Sequence, residues 1–329
     1  MSWRGRRVLL TGHTGFKGAW LALLLHELGA VVTGFGGAPP TEPSLFALAR
    51  AGELCDDRRG DVRSAGEVGA AVAAARPEVV FHLAAQPIVR AALEDPAATY
   101  AVNVVGTEHV LRAARDAAIV CVTSDKCYAP GEGPHREGDE LGGRDPYSAS
   151  KAAQELVAAA ARAGGVRVAT ARAGNVIGGG DWGRDRLLPD LVRARDSGEP
   201  VVLRHPDAIR PWQHVLEPLS GYLLLAERLI ESPAWAAPWN FGPADAATVR
   251  WVVDRVCSRW PLDVRVVPPA DAVEAPALRL DASKARAELG WEPRLDLAAG
   301  LDATVSWHDL VREGADARAV TMTQIEEAS

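Results

Sequence analysis

The chain has 329 residues, 48% hydrophobic and 24% charged, an ordinary globular balance sufficient for one large or two intimate domains. Its formal net charge of −7 argues against a nucleic-acid partner, which calls for a basic face, and requires positive charge for any anionic ligand to be placed locally. Cys55, Cys121, Cys127 and Cys257 show no Cys-x-x-Cys spacing or histidine cluster, so no metal site is expected.

The elements begin at once. Val8-Leu9-Leu10 is a short apolar run suited to a buried parallel strand. As an h-region it is too short for a signal peptide, and no apolar stretch is long enough to span a bilayer. No membrane partner is expected, and the reading places the protein in the cytoplasm. Gly12, Gly15 and Gly18 follow in a G-x-x-G-x-x-G loop. Next comes a helix in which Phe16, Trp20, Leu21, Leu24, Leu25 and Leu28 recur at helical spacing, with Gly29 as its C-terminal cap. Ala30 to Phe35 is the next strand. A strand, glycine loop, helix and strand within about thirty residues is the context a dinucleotide fingerprint requires. Gly12 permits the tight turn, Gly15 the approach of a pyrophosphate, and Gly18 close packing of the helix, whose N-terminal amides face the anion.

The second strand ends in Phe35-Gly36-Gly37, with neither an acid for the ribose hydroxyls nor an Arg for a 2′-phosphate, so the motif leaves NAD and NADP open. Asp61, where the third strand should end, is placed to accept from the adenine amino group. Strands at 78–84, 119–122 and 166–171 then alternate with helices near 102–117 and 147–162. The alanine-rich tracts 70–75 and 158–163 read as helix rather than disorder. The alternation predicts an α/β fold: a Rossmann-type doubly wound parallel sheet over residues 1–175, with the chain returning to it near 214–243. Beyond Gly178-Gly179-Gly180-Asp181, read as a flexible junction, the rhythm weakens. Residues 176–315 are expected to form mainly a smaller C-terminal substrate-binding domain, and 316–329 a loose tail. Trp3, Trp251, Trp260 and Trp307 read as packing residues.

Tyr147 and Lys151 lie four residues apart, on one helical face. A nearby ammonium lowers a phenol's pKa, which suits Tyr147 to act as a base, and Lys151 can also hold the nicotinamide ribose. A glycine loop with Tyr-x-x-x-Lys resembles the extended short-chain dehydrogenase/reductase family. The fifth strand ends in Thr123-Ser124-Asp125-Lys126-Cys127-Tyr128, a hydroxyl followed by two ionisable groups. Epimerases of that superfamily usually offer few ionisable residues there. Eliminating water across C5 and C6 of a sugar needs a base and an acid beyond the tyrosine.

Further motifs narrow the resemblance. Gly12 to Gly18, Pro40 to Phe46, His82 to Pro87, Thr123 to Tyr128, Arg172 to Trp182 and Arg210 to Val215 together resemble the CDP-glucose group of nucleotide-sugar 4,6-dehydratases, over roughly residues 6 to 310. The resemblance implies NAD as cofactor, contacted by Gly12, Thr14, Gly15, Phe16, Gly18, Asp61, Val62, Ala84, Ala85, Tyr147 and Lys151. It implies Tyr147 as base for the C4 hydroxyl, Lys126 as C5 base, Asp125 as acid for the C6 hydroxyl and Ser124 as partner of the C4 oxygen. Gln86, Ser124, Asn175, Arg186 and Arg210 become substrate contacts, the two arginines for the diphosphate. A homodimer through the helices near 102–117 and 147–162 is the usual assembly of the superfamily. An epimerase, a dehydratase acting on another nucleotide sugar, or a non-catalytic dinucleotide binder are the alternatives. The presence of both Tyr147 and Lys151 favours an enzyme. The chain departs from the group in the short polar segment Ala129 to His135, and again at Gly164-Gly165.

Overall fold

The computed structural model describes residues 2–131, 133–267 and 276–328. Met1, residues 268–275, Ser329 and Glu132, the last within the short polar segment, lie outside the described residues. A seven-stranded sheet organises them. Its strands are β1 (Arg7–Thr11), β2 (Val31–Gly36), β3 (Asp56–Arg59), β4 (Val79–His82), β5 (Ala118–Val122), β6 (Val168–Ala173) and β7 (Pro238–Phe241). The order is β3-β2-β1-β4-β5-β6-β7, and every pairing is parallel. The chain therefore re-enters the sheet at Pro238–Phe241, after leaving it at β6.

Alternation along the strands explains the two-sided core. Successive strand residues face opposite sides. In β1, Val8 and Leu10 join one hydrophobic cluster and Leu9 the other. In β5, Ala118, Val120 and Val122 face the first, while Ile119 and Cys121 face the second. With both faces apolar, a strand must be covered on both sides. The first face is covered by α1 (Phe16–Glu27) and later helices. The second is covered by α2 (Ala65–Ala75), α3 (Gly106–Ala113) and α4 (Pro146–Ala163), which include both alanine-rich tracts.

The part after residue 175 is built differently. Helix α5 (Leu187–Ser197) and three two-stranded sheets, 176–177 with 213–214, 209–210 with 247–248, and 201–203 with 264–266, enclose a third cluster around Leu191, Trp212, Val252, Val256 and Trp260. Helix α6 (Leu216–Glu231) returns to the main sheet. Its Leu219, Tyr222 and Leu225 join the first cluster.

Three sequence expectations change. The glycines at 178–180 are a packed seam rather than a flexible junction. A Cβ on Gly179 would lie 2.0 Å from the Trp307 ring and one on Gly180 2.7 Å from Leu45, while Trp20 Nε1 donates to the Gly179 carbonyl (2.9 Å). Residues 317–327 form helix α8 rather than a loose tail; it follows α7 (Leu297–Arg312) and buries Ala317, Thr321 and Ile325. Thr321 accepts from Trp307 Nε1 (2.9 Å), and Asp316 caps the helix. Trp3, Trp260 and Trp307 are buried, but Trp251 is 43% exposed and does not pack in the core.

Candidate active site

The carboxyl ends of β1, β4 and β5 and the start of α4 converge, the usual ligand crevice of an open parallel sheet. Gly12 leaves β1 at φ +74°, and a Cβ there would fall 2.7 Å from the Ala84 amide nitrogen. A Cβ on Gly18 would meet the Gly12 carbonyl at 2.1 Å, so α1 can pack this closely only with glycine. Gly15 precedes α1 with no side-chain cap on the first amides, which leaves them for an anion. Ala84 N–H donates to Thr11 Oγ1 (3.2 Å), which ties the Ala84-Ala85 wall to β1. Thr14 is buried, and Phe16 begins the helix. Tested by this glycine cradle, the residues present fit a dinucleotide.

At the adenosine end, Asp61 is exposed and paired with Arg63, its Oδ2 2.8 Å from Arg63 Nε. Val62 is buried, and its carbonyl accepts from His109 Nδ1 (2.9 Å). The end of β2 does have an arginine beside it, contrary to the sequence reading. Arg59 of the neighbouring β3 donates to the Gly37 carbonyl (2.9 Å) and to Asp57 (2.7 Å). The register that sets Gly36 opposite Arg59 brings it there across the sheet. Asp57 in turn hydrogen-bonds His13 of the glycine loop at 2.7 Å.

The chemistry-bearing residues meet at the centre. Asp145 caps α4, accepting from the Ser148 amide (2.9 Å), with Pro146 in the first turn. This sets Tyr147 and Lys151 facing inward, both buried. Ser124 lies close enough to the Tyr147 hydroxyl to act on its pKa. Ser124 Oγ donates to Asp125 Oδ1 (2.9 Å) and accepts from the Lys126 amide (3.2 Å), which shapes the 3-10 turn Asp125–Cys127. Asp125 is 4% exposed, and among the described residues its Oδ2 has no hydrogen-bond partner. Burial raises the Asp125 pKa, opposed by Lys126, Ser124 and Arg210. Lys126 is half-buried.

Electrostatics correct one expectation. Burial pushes the Tyr147 phenol up to about 12, opposed by nearby Ser124 and by Arg186; the pull expected of Lys151 does not decide the direction. Burial also pushes Lys151 down to about 8. Lys17, to which the sequence reading assigned no role, lies in the same field. Its removal from water, with Lys151 and Arg186 nearby, pushes it down to about 7, opposed by Asp125. Lys17, Lys151, Arg186 and Arg210 thus give an acidic protein a local positive lining.

The other expected ligand residues divide. Arg210 is 7% exposed in the strand 209–210; it donates to the Ile209 carbonyl (2.8 Å) and acts electrostatically on Asp125. Arg186 precedes α5 and pairs with the buried Asp181 (3.0 Å), within electrostatic reach of Tyr147 and Lys17. Asn175 is half-buried beyond β6, and its carbonyl accepts from the Gln213 amide (3.0 Å). Gln86 is committed to its own loop: its amide donates to Ile88 O (3.1 Å) and Thr99 Oγ1 (2.9 Å) while its carbonyl accepts from Ile88 N (2.5 Å).

Two further buried groups surround this centre. Glu155 accepts from Thr123 Oγ1 (2.5 Å), Thr170 Oγ1 (2.7 Å) and Arg172 (2.7 Å), and Arg172 also donates to the Tyr128 hydroxyl (2.8 Å). Gln154 accepts from Lys151 Nζ at 2.9 Å. Their spacing of three and four residues from Lys151 was the only signal available in the sequence.

Comparison with known proteins agrees with this geometry. The family model described as the NAD dependent epimerase/dehydratase family matches residues 8–235. A CDP-glucose 4,6-dehydratase of Salmonella typhimurium is 46% identical, over 95% of this chain and 93% of that protein. DesIV, a dTDP-glucose 4,6-dehydratase of Streptomyces venezuelae solved with NAD and TYD bound, is similar at TM-score 0.81 and 26% identity, covering 93% of this chain and 98% of that one. A UDP-glucose-4-epimerase of Stenotrophomonas maltophila solved with NAD and formylated UDP-arabinopyranose reaches TM-score 0.83 over 94% of this chain and 100% of that one. At 22% identity it speaks for the fold alone.

Proposed function

Because the chain belongs to the NAD dependent epimerase/dehydratase family, we propose that it is a CDP-glucose 4,6-dehydratase, converting CDP-glucose to CDP-4-keto-6-deoxyglucose and water. The observation that carries the dehydratase reading is the Ser124–Asp125 hydrogen bond within reach of Tyr147, with a buried Asp125 Oδ2 that has no partner among the described residues and Lys126 beside it. Oxidation at C4 alone needs only the tyrosine. The extra carboxyl and amine serve an elimination.

Bound NAD supplies the hydride acceptor for C4 and the hydride donor for C6. Gly12, Gly15 and Gly18, with the first amides of α1, hold its pyrophosphate. Thr14, Phe16, Ala84 and Ala85 flank it, Asp61 and Val62 receive the adenine, and Lys151 holds the nicotinamide ribose. Tyr147 takes the proton of the C4 hydroxyl as its phenolate, the form that Ser124 and Arg186 favour against burial, and Ser124 hydrogen-bonds that oxygen. The resulting ketone acidifies C5–H. Neutral Lys126 Nζ takes the C5 proton, the C6 hydroxyl leaves as water with the proton of Asp125, Lys126 returns its proton to C5 as C6 is reduced, and the proton held by Tyr147 passes to Asp125, which restores both groups. Burial of Asp125 supports its role, since it raises the pKa and so favours the protonated acid. Arg186, Arg210 and Asn175 hold the diphosphate and sugar, and the part after residue 175 forms the substrate-binding domain. We further propose a cytoplasmic homodimer. The exposed Leu93, Tyr100, Val105 and Leu156 lie on or next to the helices expected to pair.

The test is to incubate the pure protein with CDP-, dTDP-, UDP- and GDP-glucose. A 4-keto product lighter by one water should form from CDP-glucose in preference to the others. A faster reaction with another nucleotide overturns the substrate assignment; epimerised product without loss of water overturns the dehydratase reading.

A further inference from the structure

We propose that Gln154 is a positioning residue that holds the Lys151 ammonium in place, and that it is fixed by a buried hydrogen-bond chain reaching back to the strand under the glycine loop. The proposal rests on the assignment of Lys151 to the reaction given above.

The chain can be assigned proton by proton. Lys151 Nζ can only donate, so the atom 2.9 Å away must be the Gln154 carbonyl oxygen. The Gln154 amide therefore points the other way, donating to Thr107 Oγ1 (2.9 Å) and to Cys121 Sγ (3.5 Å). Thr107 has one hydroxyl proton and gives it to the Asn103 carbonyl (2.7 Å). His82 Nε2, 2.9 Å from the same oxygen, must then carry a proton and donate it. Burial pushes the His82 pKa down to about 3, so the ring is neutral and its Nδ1 is an acceptor. Thr11 Oγ1 donates to that Nδ1 (2.7 Å) and accepts from the Ala84 amide (3.2 Å). Every polar atom of this path has its partner, and no alternative orientation of the Gln154 amide satisfies them all.

The path connects two parts of the site that the sequence leaves unrelated. Thr11 is the last residue of β1, directly before Gly12, and Ala84 follows β4. Thr107 lies on α3 and Gln154 on α4. A branch from Asn103 reaches Ser150 Oγ (2.9 Å), which donates to the Tyr147 carbonyl (2.6 Å). Gln154, Thr107, His82 and Thr11 are all 0% exposed. A buried polar path with every partner present is rigid, because any rotation leaves a donor or acceptor unmatched in a medium without water. Lysine has a flexible four-carbon stem, and an ammonium that must sit at one point needs such a stop.

A double-mutant cycle on the NAD-loaded enzyme tests this. Gln154→Leu keeps the volume and removes both polar atoms. It should lower kcat roughly tenfold, while the KM for CDP-glucose stays within about twofold. Gln154→Glu keeps an acceptor for Lys151, and Thr107 can turn its proton to the new carboxylate, so this variant should recover most of the loss. Gln154→Leu combined with Lys151→Met should be no slower than Lys151→Met alone, since a residue acting through Lys151 has nothing left to position. Losses that multiply in the double variant, or a Gln154→Leu enzyme as fast as wild type, overturn the proposal. If Gln154→Leu does not fold, Gln154→Asn, too short to reach both partners, replaces it in the same cycle. A wild-type enzyme that leaves CDP-glucose unchanged refutes the substrate reading instead. The cycle is then run on NAD+ dissociation constants, which need no sugar: non-additive losses there support the positioning role, and additive ones overturn it.

Discussion

The two halves of the candidate site stand on different supports. Tyr147 and Lys151 project from an 18-residue helix, capped at its start by Asp145 and tied along its buried side by Ser150, Gln154 and Glu155. Ser124 caps a 3-10 turn of three residues beyond β5 that carries Asp125 and Lys126, and among the described residues the buried Asp125 Oδ2 has no hydrogen-bond partner. A helix with its polar atoms paired presents fixed groups. A turn with one carboxyl oxygen unmatched presents a group open to a further partner. On the proposed function the helix half serves the oxidation, and the turn half serves the elimination that distinguishes a dehydratase.

Removing the proton acceptor of the helix half should have the largest effect. Tyr147→Phe keeps the buried ring and should lower the rate of NADH formation from CDP-glucose by about two to four orders of magnitude in single turnover. A loss of only a few-fold would take the base role from Tyr147. The turn half should fail at a later step. Lys126→Met should still oxidise C4, so absorbance of bound NADH should build up, while C5 no longer exchanges its hydrogen with solvent deuterium. Overall turnover should fall by about two orders of magnitude. Loss of the C4 oxidation itself, or deuterium entering C5 at the normal rate, would merge the two halves and leave Lys126 as a partner of Asp125.

The halves meet at Glu155, and here the expected effect is on stability. Glu155 and Arg172 have side chains only 3% exposed, and the carboxylate also holds Thr123 and Thr170. Glu155→Gln leaves the Arg172 charge buried without its counter-ion, which should destabilise the fold by about 3–5 kcal/mol in urea denaturation. A change below about 1 kcal/mol would mean that water or Glu137, whose carbonyl accepts from Arg172 at 3.1 Å, compensates the charge.

What could be read from the sequence follows the same division. Ala118 to Val122 declare a strand buried on both faces, because each residue is apolar whichever way it points. Tyr147 and Lys151 declare themselves by helical spacing. The two-residue strands 176–177 and 209–210 carry no period, since their pairing is imposed by the neighbouring chain. Gly178 to Gly180 read as freedom, although their missing side chains make room for Val215, Trp307 and Leu45. Helix α8 hides because only Ala317, Thr321 and Ile325 of its residues are fully buried, and two of these three are small or polar. Arg59 reaches the end of β2 from another strand, a relation that no single stretch of sequence contains.

The smallest effect separates charge from folding within the helix half. Burial pushes the Lys151 pKa down to about 8, from 10.5 for an exposed lysine. In the folded state the ammonium is present below pH 8 and lost above it, so the first oxidation should slow as pH rises through 8. Stability runs the other way. Between pH 8 and 10.5 the unfolded chain still binds the proton that the folded chain has released, so this group makes folding more favourable as pH rises. Each pH unit in that window should add about 1.4 kcal/mol, and the whole window about 3 kcal/mol, to the stability of the wild type relative to Lys151→Met. Denaturation of both proteins at several pH values gives the difference, and single-turnover rates over the same range give the activity limb. Parallel changes in the two would mean that the alkaline loss of activity is unfolding. A rate that declines while relative stability climbs assigns the limb to the ammonium that Gln154 holds.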